Sequence, residues 1–502
     1  MNWSMKQTRS ESCAISVRAA IPIPKTVGMS LIAPMLVGIF AIASQAAIPP
    51  GCSATTDAEY KTTTLVNRTM GINEPIKMDF DQVAKDQVDI YWVERMGKVK
   101  KFAAATGAVI ELGTIIHNDD FESGVTGILL DRGFKSNTRM FIYYAFGSLN
   151  AFEFRLSRFA LGADGKLDLA SEKIVLRIPA TFHKMHTGGA MAWGDNGNLY
   201  ITVGENEAGM GGPANTNDLR GKILRIHPEE DGTYTVPEGN LFPKGTAKTK
   251  PEIYVMGNRN PYSITYDPVL KAAVWGEVGP DGTGVTEEDN IAATPGNYGW
   301  PMWSGNQVAL KTPPGDPNAP KNTDAANTGL VDLPASRPGT YSYPQSCAIT
   351  GPIYRYDGAL DSKRKFPPHW DGKWFVTDCN NGEMDTLNLN AKNDGITTHA
   401  RFFAATRLVR PLDMKFGPDG ALYVLNYAGW FSAEASTSIQ RIEYTGSCLP
   451  AATSTIRFSP SDLQREAVRQ RVLSLLRHDG QALIPWEGFR LLNGRAAGGV
   501  GR

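Results

Sequence analysis

Gly417-Pro418-Asp419-Gly420-Ala421-Leu422-Tyr423-Val424-Leu425 joins a tight turn to a short apolar run built around an aromatic and a β-branched residue. Gly, Pro and Asp favour the turn, and the run suits a buried strand. The same unit recurs upstream, at Val88–Val93, Met140–Tyr144, Leu199–Val203, Ala273–Gly276 and Trp374–Thr377. Asp195-Asn196-Gly197-Asn198 is another of the turns that precede such runs. Successive runs lie roughly 50 to 100 residues apart, enough for one four-stranded unit plus a loop. Recurrence on that scale predicts a radial array of small sheets around a central axis. Ligand chemistry is expected near the axis, where the loops converge.

The composition agrees. A chain of 502 residues could hold two or three domains, yet 51 Gly, 32 Pro, 10 Trp and 17 Tyr come with little helical periodicity. Many short strands between Gly/Pro turns predict an all-β protein. Lys plus Arg and Asp plus Glu balance at 51 each, so no basic footprint for nucleic acid is present.

Lys6, Arg9, Arg18 and Lys25 precede an uncharged stretch from Thr26 to Ala47 that ends in small residues. This predicts a secretory signal over 1–47 and export to the periplasm or the exterior, with no membrane span left after processing. A start at Met29 would shorten the charged region. A retained anchor is the alternative, weakened by Pro34. Removal of the signal would leave Cys52, Cys347, Cys379 and Cys448. Three pairings are open to them, and Cys52–Cys448 with Cys347–Cys379 is favoured because the first would tie the two ends of a ring. Four separately buried thiols are the alternative.

Residues 48–75 read as a polar lead-in, 76–447 as the array and 448–502 as a tail. Leu463, Val468, Val472 and Leu476 in the tail fit a short amphipathic helix. Two loops interrupt the array, the Gly/Asn-rich 204–218 and a Pro/Asn/Ala-rich excursion over 304–345.

His186, in Met185-His186-Thr187-Gly188-Gly189, can present an imidazole that takes a proton from a hydroxyl, with His183 as a competitor. A structural histidine is the plainer alternative. Gly257-Asn258-Arg259-Asn260-Pro261 offers a guanidinium and an amide for a carboxylate, or simply a structural ion pair. Glu277-Val278-Gly279-Pro280-Asp281 ends a strand in a turn whose bare carbonyls suit Ca²⁺, or nothing. No Gly-rich nucleotide loop, C-x-x-C, H-E-x-x-H or G-x-S-x-G occurs, which disfavours NAD-dependent, zinc and esterase chemistry.

Taken in order, the chain resembles the soluble quinoprotein glucose/sorbosone dehydrogenase family over roughly residues 80–445. The likeness rests on Glu122–Ile128, His186–Gly189 with Gly197–Glu205, Leu219–Ile226, Pro251–Tyr254 with Gly257–Pro261, Gly276–Asp281, Gly296–Pro301 and Arg410–Asp413 with Gly417–Val424. The resemblance implies a six-bladed β-propeller that oxidises an aldose or related sugar to the lactone with pyrroloquinoline quinone (PQQ) and Ca²⁺. It implies His186 as general base, Glu122, Arg259, Asn260 and Arg410 as cofactor contacts, and the carbonyls of Gly279 and Pro280 as Ca²⁺ ligands. A separate acceptor, a cytochrome or a quinone, would take the electrons, since the chain has no C-x-x-C-H haem attachment. Three positions depart from the family's pattern. Met185 replaces an acid, Asn380 a lysine and Leu412 an arginine. These departures keep two other readings open, a non-catalytic propeller that binds a carbohydrate or protein and a metal-dependent lactonase.

Overall fold

The structure, a computed structural model, describes residues 56–148, 151–181, 185–282, 284–310, 315–344 and 346–448, with two short strands at Arg477–His478 and Gln481–Ala482. The expected signal or anchor, Cys52, His183 and the helix near 463–476 lie outside these residues. Among the described residues, no helix is long and apolar enough to cross a membrane.

Six antiparallel sheets form the blades of a propeller. Their first strands are Pro75–Ala84, Val125–Leu130, Gly188–Trp193, Asn260–Asp267, Ala348–Ile353 and Pro411–Phe416, defining blades one to six. Each of these packs beside the first strand of the next blade, and the sixth packs beside the first, so they enclose a central channel. Within blades one to five the chain steps outward from this ring, strand by strand.

All the apolar runs of the sequence fall on second strands: Gln87–Glu94, Arg139–Phe146, Leu199–Val203, Ala272–Val278, Trp374–Asp378 and Leu422–Asn426. A second strand is hydrogen-bonded along both edges and covered on both faces by neighbouring blades, so its side chains are apolar without alternation. Trp92, Tyr143, Ile201, Trp275, Trp374 and Tyr423 are accordingly buried. Truncating one of the tryptophans to Ala would cost about 3–5 kcal/mol. Outer strands face water; Ile396–Arg401, for example, is exposed along most of its length.

Residues within the stretch read as a lead-in do architectural work. Tyr60–Asn67 pairs antiparallel with Ser438–Tyr444, from Tyr60 opposite Tyr444 to Asn67 opposite Ser438, and supplies the outermost strand of blade six. Cys347 and Cys379 form the expected disulfide, linking the entrance of blade five to the end of its second strand. Cys448 is also disulfide-bonded.

Loops 204–218 and 304–345 are built on each other. Asn322 Nδ2 donates to the carbonyls of Met210 (2.9 Å) and Ala214 (3.0 Å), and Leu330 N donates to Thr216 Oγ1 (2.8 Å). The buried Lys222 ammonium donates to the carbonyls of Gly212, Pro213 and Arg220 at 2.8, 3.0 and 2.7 Å. Backbone groups that a strand ladder would satisfy are served here by side chains.

Candidate active site

Each residue that the family likeness assigns to the base, the cofactor or the Ca²⁺ sits where a chain segment enters a first strand or leaves a second one. Antiparallel pairing brings those two points to the same end of a blade. Glu122, His186, Arg259 and Asn260, and Arg410 lie at the entrances of blades two, three, four and six, while Gly279 and Pro280 follow the second strand of blade four.

Four of the first strands carry a register shift that opens at their first residue: Pro75/Lys77, Val125/Gly127, Gly188/Met191 and Pro411/Asp413. In blade four the shift falls at Pro261/Ser263. Such bulges bend the strand and re-aim side chains beside a pocket. One residue ahead of the strand, Glu74 (φ 48°) and Arg410 (φ 50°) are left-handed, and two residues ahead so is His186 (φ 55°). Non-glycine residues hold this conformation only where their surroundings over-determine it.

His186 shows how. Its backbone N–H donates to Glu122 Oε2, and its Nδ1 lies 2.7 Å from Glu205 Oε1 with the ring almost fully buried. An imidazole that donates from Nδ1 to a carboxylate keeps its Nε2 lone pair as a proton acceptor. Close approach makes this possible: a Cβ on Gly204 would stand 2.0 Å from the His186 carbonyl oxygen, and one on Gly189 2.3 Å from Thr126 Oγ1. Glycine is required at both.

Blades two, three and four are joined through the same groups. Asn260 Oδ1 accepts from Gly188 N (3.3 Å) and its Nδ2 donates to Glu122 Oε1 (3.4 Å). Both Glu122 oxygens are therefore already engaged. The Arg259 carbonyl accepts from Glu205 N (2.7 Å), and Arg259 Nη1 donates to the Val278 carbonyl (3.2 Å) while its guanidinium faces the Trp300 ring at 5.9 Å. Glu277 Oε1 accepts from both Arg259 N (2.5 Å) and Asn260 N (2.7 Å). Burial and the Glu288 carboxylate push Glu277 well above the usual carboxylate range, against the pull of those two hydrogen bonds.

Glu205 belongs to a repeated device. A carboxylate at the end of a second strand accepts backbone N–H groups at the entrance of its own blade: Glu94 from Asn73, Glu277 from Arg259 and Asn260, Asp378 from Cys347. In blade six Asn426 does so for Val409. In blade three Glu205 occupies the corresponding place but holds the His186 ring. Met185 offers no acid, so the support for the imidazole comes from here. An acid or amide following the apolar run, in every blade but the second, is the sequence signal for the device.

Around the rest of the rim, Tyr427 N donates to the Arg410 carbonyl (3.0 Å) and Tyr427 Oη to Glu74 Oε2 (3.1 Å). Glu74 pairs with Arg95 (2.6 Å), whose Nη1 donates to the carbonyls of Phe121 and Ser123 on either side of Glu122. Arg410 stands apart. Its guanidinium lies 3.8 Å from the centroid of the exposed Trp430 ring, and its buried Nε and Nη1 have no hydrogen-bond partner among the described residues. Burial lowers its affinity for the proton. A half-buried guanidinium with two buried, idle donors is built to meet an anion.

Gly279 N donates to Glu287 Oε2 (3.1 Å), which also accepts from Ala348 N (3.0 Å) and so fixes the Gly279–Pro280 turn against blade five. The carbonyls of Gly279 and Pro280 accept no hydrogen bond among the described residues. No group of three or more His, Cys, Asp or Glu side chains stands at metal-binding spacing among them either. The oxygens that this turn leaves without a donor are backbone carbonyls.

A family model described as Glucose / Sorbosone dehydrogenase matches residues 72–429. The aldose sugar dehydrogenase YliI of Escherichia coli (strain K12) is 28% identical over 242 residues, 48% of this chain and 57% of that protein, so the match spans little more than half of the relative. The apo crystal structure of the soluble aldose sugar dehydrogenase from Escherichia coli has a TM-score of 0.59 and 22% identity, covering 77% of this chain and 99% of that one. The PQQ-bound aldose sugar dehydrogenase from Streptomyces coelicolor has a TM-score of 0.56 and 20% identity, covering 77% and 98%.

Proposed function

This chain belongs to the glucose/sorbosone dehydrogenase family, and from that premise we propose that it oxidises an aldose or related sugar to the lactone with PQQ and Ca²⁺. The observation that carries the proposal is the buried His186–Glu205 pair at the channel mouth, hydrogen-bonded to the neighbours that the family likeness names. His186 Nε2 accepts the proton of the anomeric hydroxyl, and Glu205 holds the ring in the tautomer this needs and balances the imidazolium that results. General-base help of this kind is worth about 10²–10⁴ in rate.

The residues present suit the cofactor. Arg410, with two idle buried donors, and Arg259, beside Trp300, would hold carboxylates of PQQ, while Asn260 keeps the entrances of blades two and three in register. The bare carbonyls of Gly279 and Pro280 would contribute to a Ca²⁺ site completed by water and ligand oxygens. When bound, PQQ supplies a quinone that accepts two electrons, and Ca²⁺ makes it more electrophilic. Electrons then leave to a separate acceptor, a cytochrome or a quinone. The Cys347–Cys379 disulfide supports an oxidising compartment, in keeping with export.

The test is reconstitution. Purified protein with PQQ and CaCl₂ should develop a shifted quinone absorbance and reduce a dye when aldoses are added. A bound quinone with no turnover on any aldose would favour a binding propeller, and lactone hydrolysis without PQQ would favour a lactonase.

A further inference from the structure

The cations missing at positions 380 and 412 have a counterpart on a different strand. Asn380 Nδ2 donates to the Ser346 carbonyl (2.9 Å), and Leu412 is packed in the apolar core. The Leu412 carbonyl, however, accepts from Lys77 Nζ. Lys77 lies on the first strand of blade one, and its ammonium is 4.3 Å from the ring centroid of Tyr262 on the first strand of blade four. Blades one and four are opposite in a ring of six, so this ammonium, also bonded to blade six, lies in the central channel. Lys77 is 2% exposed.

Its depth follows from register. Leu412 is two residues beyond Arg410 and Tyr262 two beyond Asn260, a step of about 7 Å along a strand. The ammonium therefore lies one layer beneath the groups proposed to hold the cofactor.

The groups facing it are Asp413 and Lys415 from blade six and Tyr262 from blade four. The Asp413 carboxylate is occupied by Met78 N (3.0 Å) and Lys415 Nζ (3.5 Å), and Lys77 makes no ion pair within 4.0 Å among the described residues. Burial brings the ammonium down to about 8, with Asp413 opposing the shift and Lys415 adding to it. One carbonyl and one ring are poor compensation for a buried cation. We propose that Lys77 is the electropositive floor of the cofactor pocket, replacing the charges lost at Asn380 and Leu412 and selecting an anionic planar ligand above it.

This rests on the PQQ reading above. The plainer role is a stitch between blades one and six through Leu412, and proton linkage separates the two. An anion overhead favours charged Lys77, so the complex takes up a proton that free protein lacks above its midpoint. Affinity is then full below about pH 8 and declines as pH rises through it.

The experiment is PQQ binding to apoprotein without sugar, followed by tryptophan quenching from about pH 6.5 to about pH 9.5. Wild type is compared with Lys77→Met and Lys77→Arg, each with a thermal melt. Wild-type affinity should fall several-fold across the range. Lys77→Met should bind roughly tenfold more weakly at neutral pH with a flattened profile, and Lys77→Arg should bind well with an equally flat one. If Lys77→Met does not fold, calorimetry of wild type in two buffers near pH 9 still decides, because the proposal requires proton uptake. A folded Lys77→Met with wild-type affinity and slope, or wild-type binding without proton uptake, overturns the proposal and leaves the PQQ reading intact. A wild type that takes up no PQQ at any pH overturns both.

Discussion

The arc through blades two, three and four differs in kind from the arc through blades six and one. On the first, Glu122, His186, Glu205, Asn260 and Glu277 satisfy one another across three strand entrances. On the second, Arg410 has idle donors under Trp430, and Lys77 is buried with a single carbonyl acceptor. On one side these groups are bonded mainly to one another, with Glu277 Oε2 left without a hydrogen-bond partner among the described residues. The other carries positive charge that only a ligand can match. The proton-handling half is organised in advance, which removes reorganisation from the chemical step. The binding half stores a desolvation cost that an anion relieves.

The comparison can be broken at several points. His186→Ala removes the one ring that the first arc organises, and sugar-dependent dye reduction should fall by about 10²–10⁴ while PQQ titrates normally. Lost PQQ binding there would mean that the two arcs are a single unit. Glu205→Gln keeps the shape and removes the charge. A drop of roughly 10- to 100-fold in kcat, with PQQ affinity unchanged, is expected from steady-state and binding data. Arg410→Gln should act the other way, weakening PQQ by about tenfold or more in a fluorescence titration while kcat at saturation changes little. Trp430→Ala sharpens the picture most finely. Losing one exposed cation–π partner should alter PQQ affinity only a few-fold. A larger loss would make that ring part of the pocket wall.

Much of the fold could be read from the apolar runs, for a reason that lies in the second strands. They are buried on both faces and carry long apolar side chains, so they lack alternation. First strands were harder. Ile76-Lys77-Met78-Asp79-Phe80 alternates like a surface strand, yet Lys77 turns to a channel rather than to open water. Outer strands such as Ile396–Arg401 carry no apolar run to mark them, and the closing strand Tyr60–Asn67 read as a lead-in because its partner lies at the far end of the array.

At the site, the family likeness supplied His186, Arg259, Asn260 and Arg410, which the structure sets at the entrances of three blades. It did not supply Glu205, although that residue closes the quoted segment Gly197–Glu205. Its bond to His186 crosses the bulge between Gly188 and Met191, and no spacing rule anticipates a bulge. The repeated acids and amides Glu94, Glu277, Asp378 and Asn426 were visible as residues. Their shared task was not, since it depends on where each strand ends in space.

Closure of blade six by Tyr60–Asn67 sets a timetable for biosynthesis. Its partner strand is made roughly 380 residues later, which at about 5–20 residues per second is on the order of 20–80 seconds. Until then the early segment has no ladder to join. The ring gains its final seam only after nearly the whole array has emerged, so its folding is dominated by one very long-range pairing.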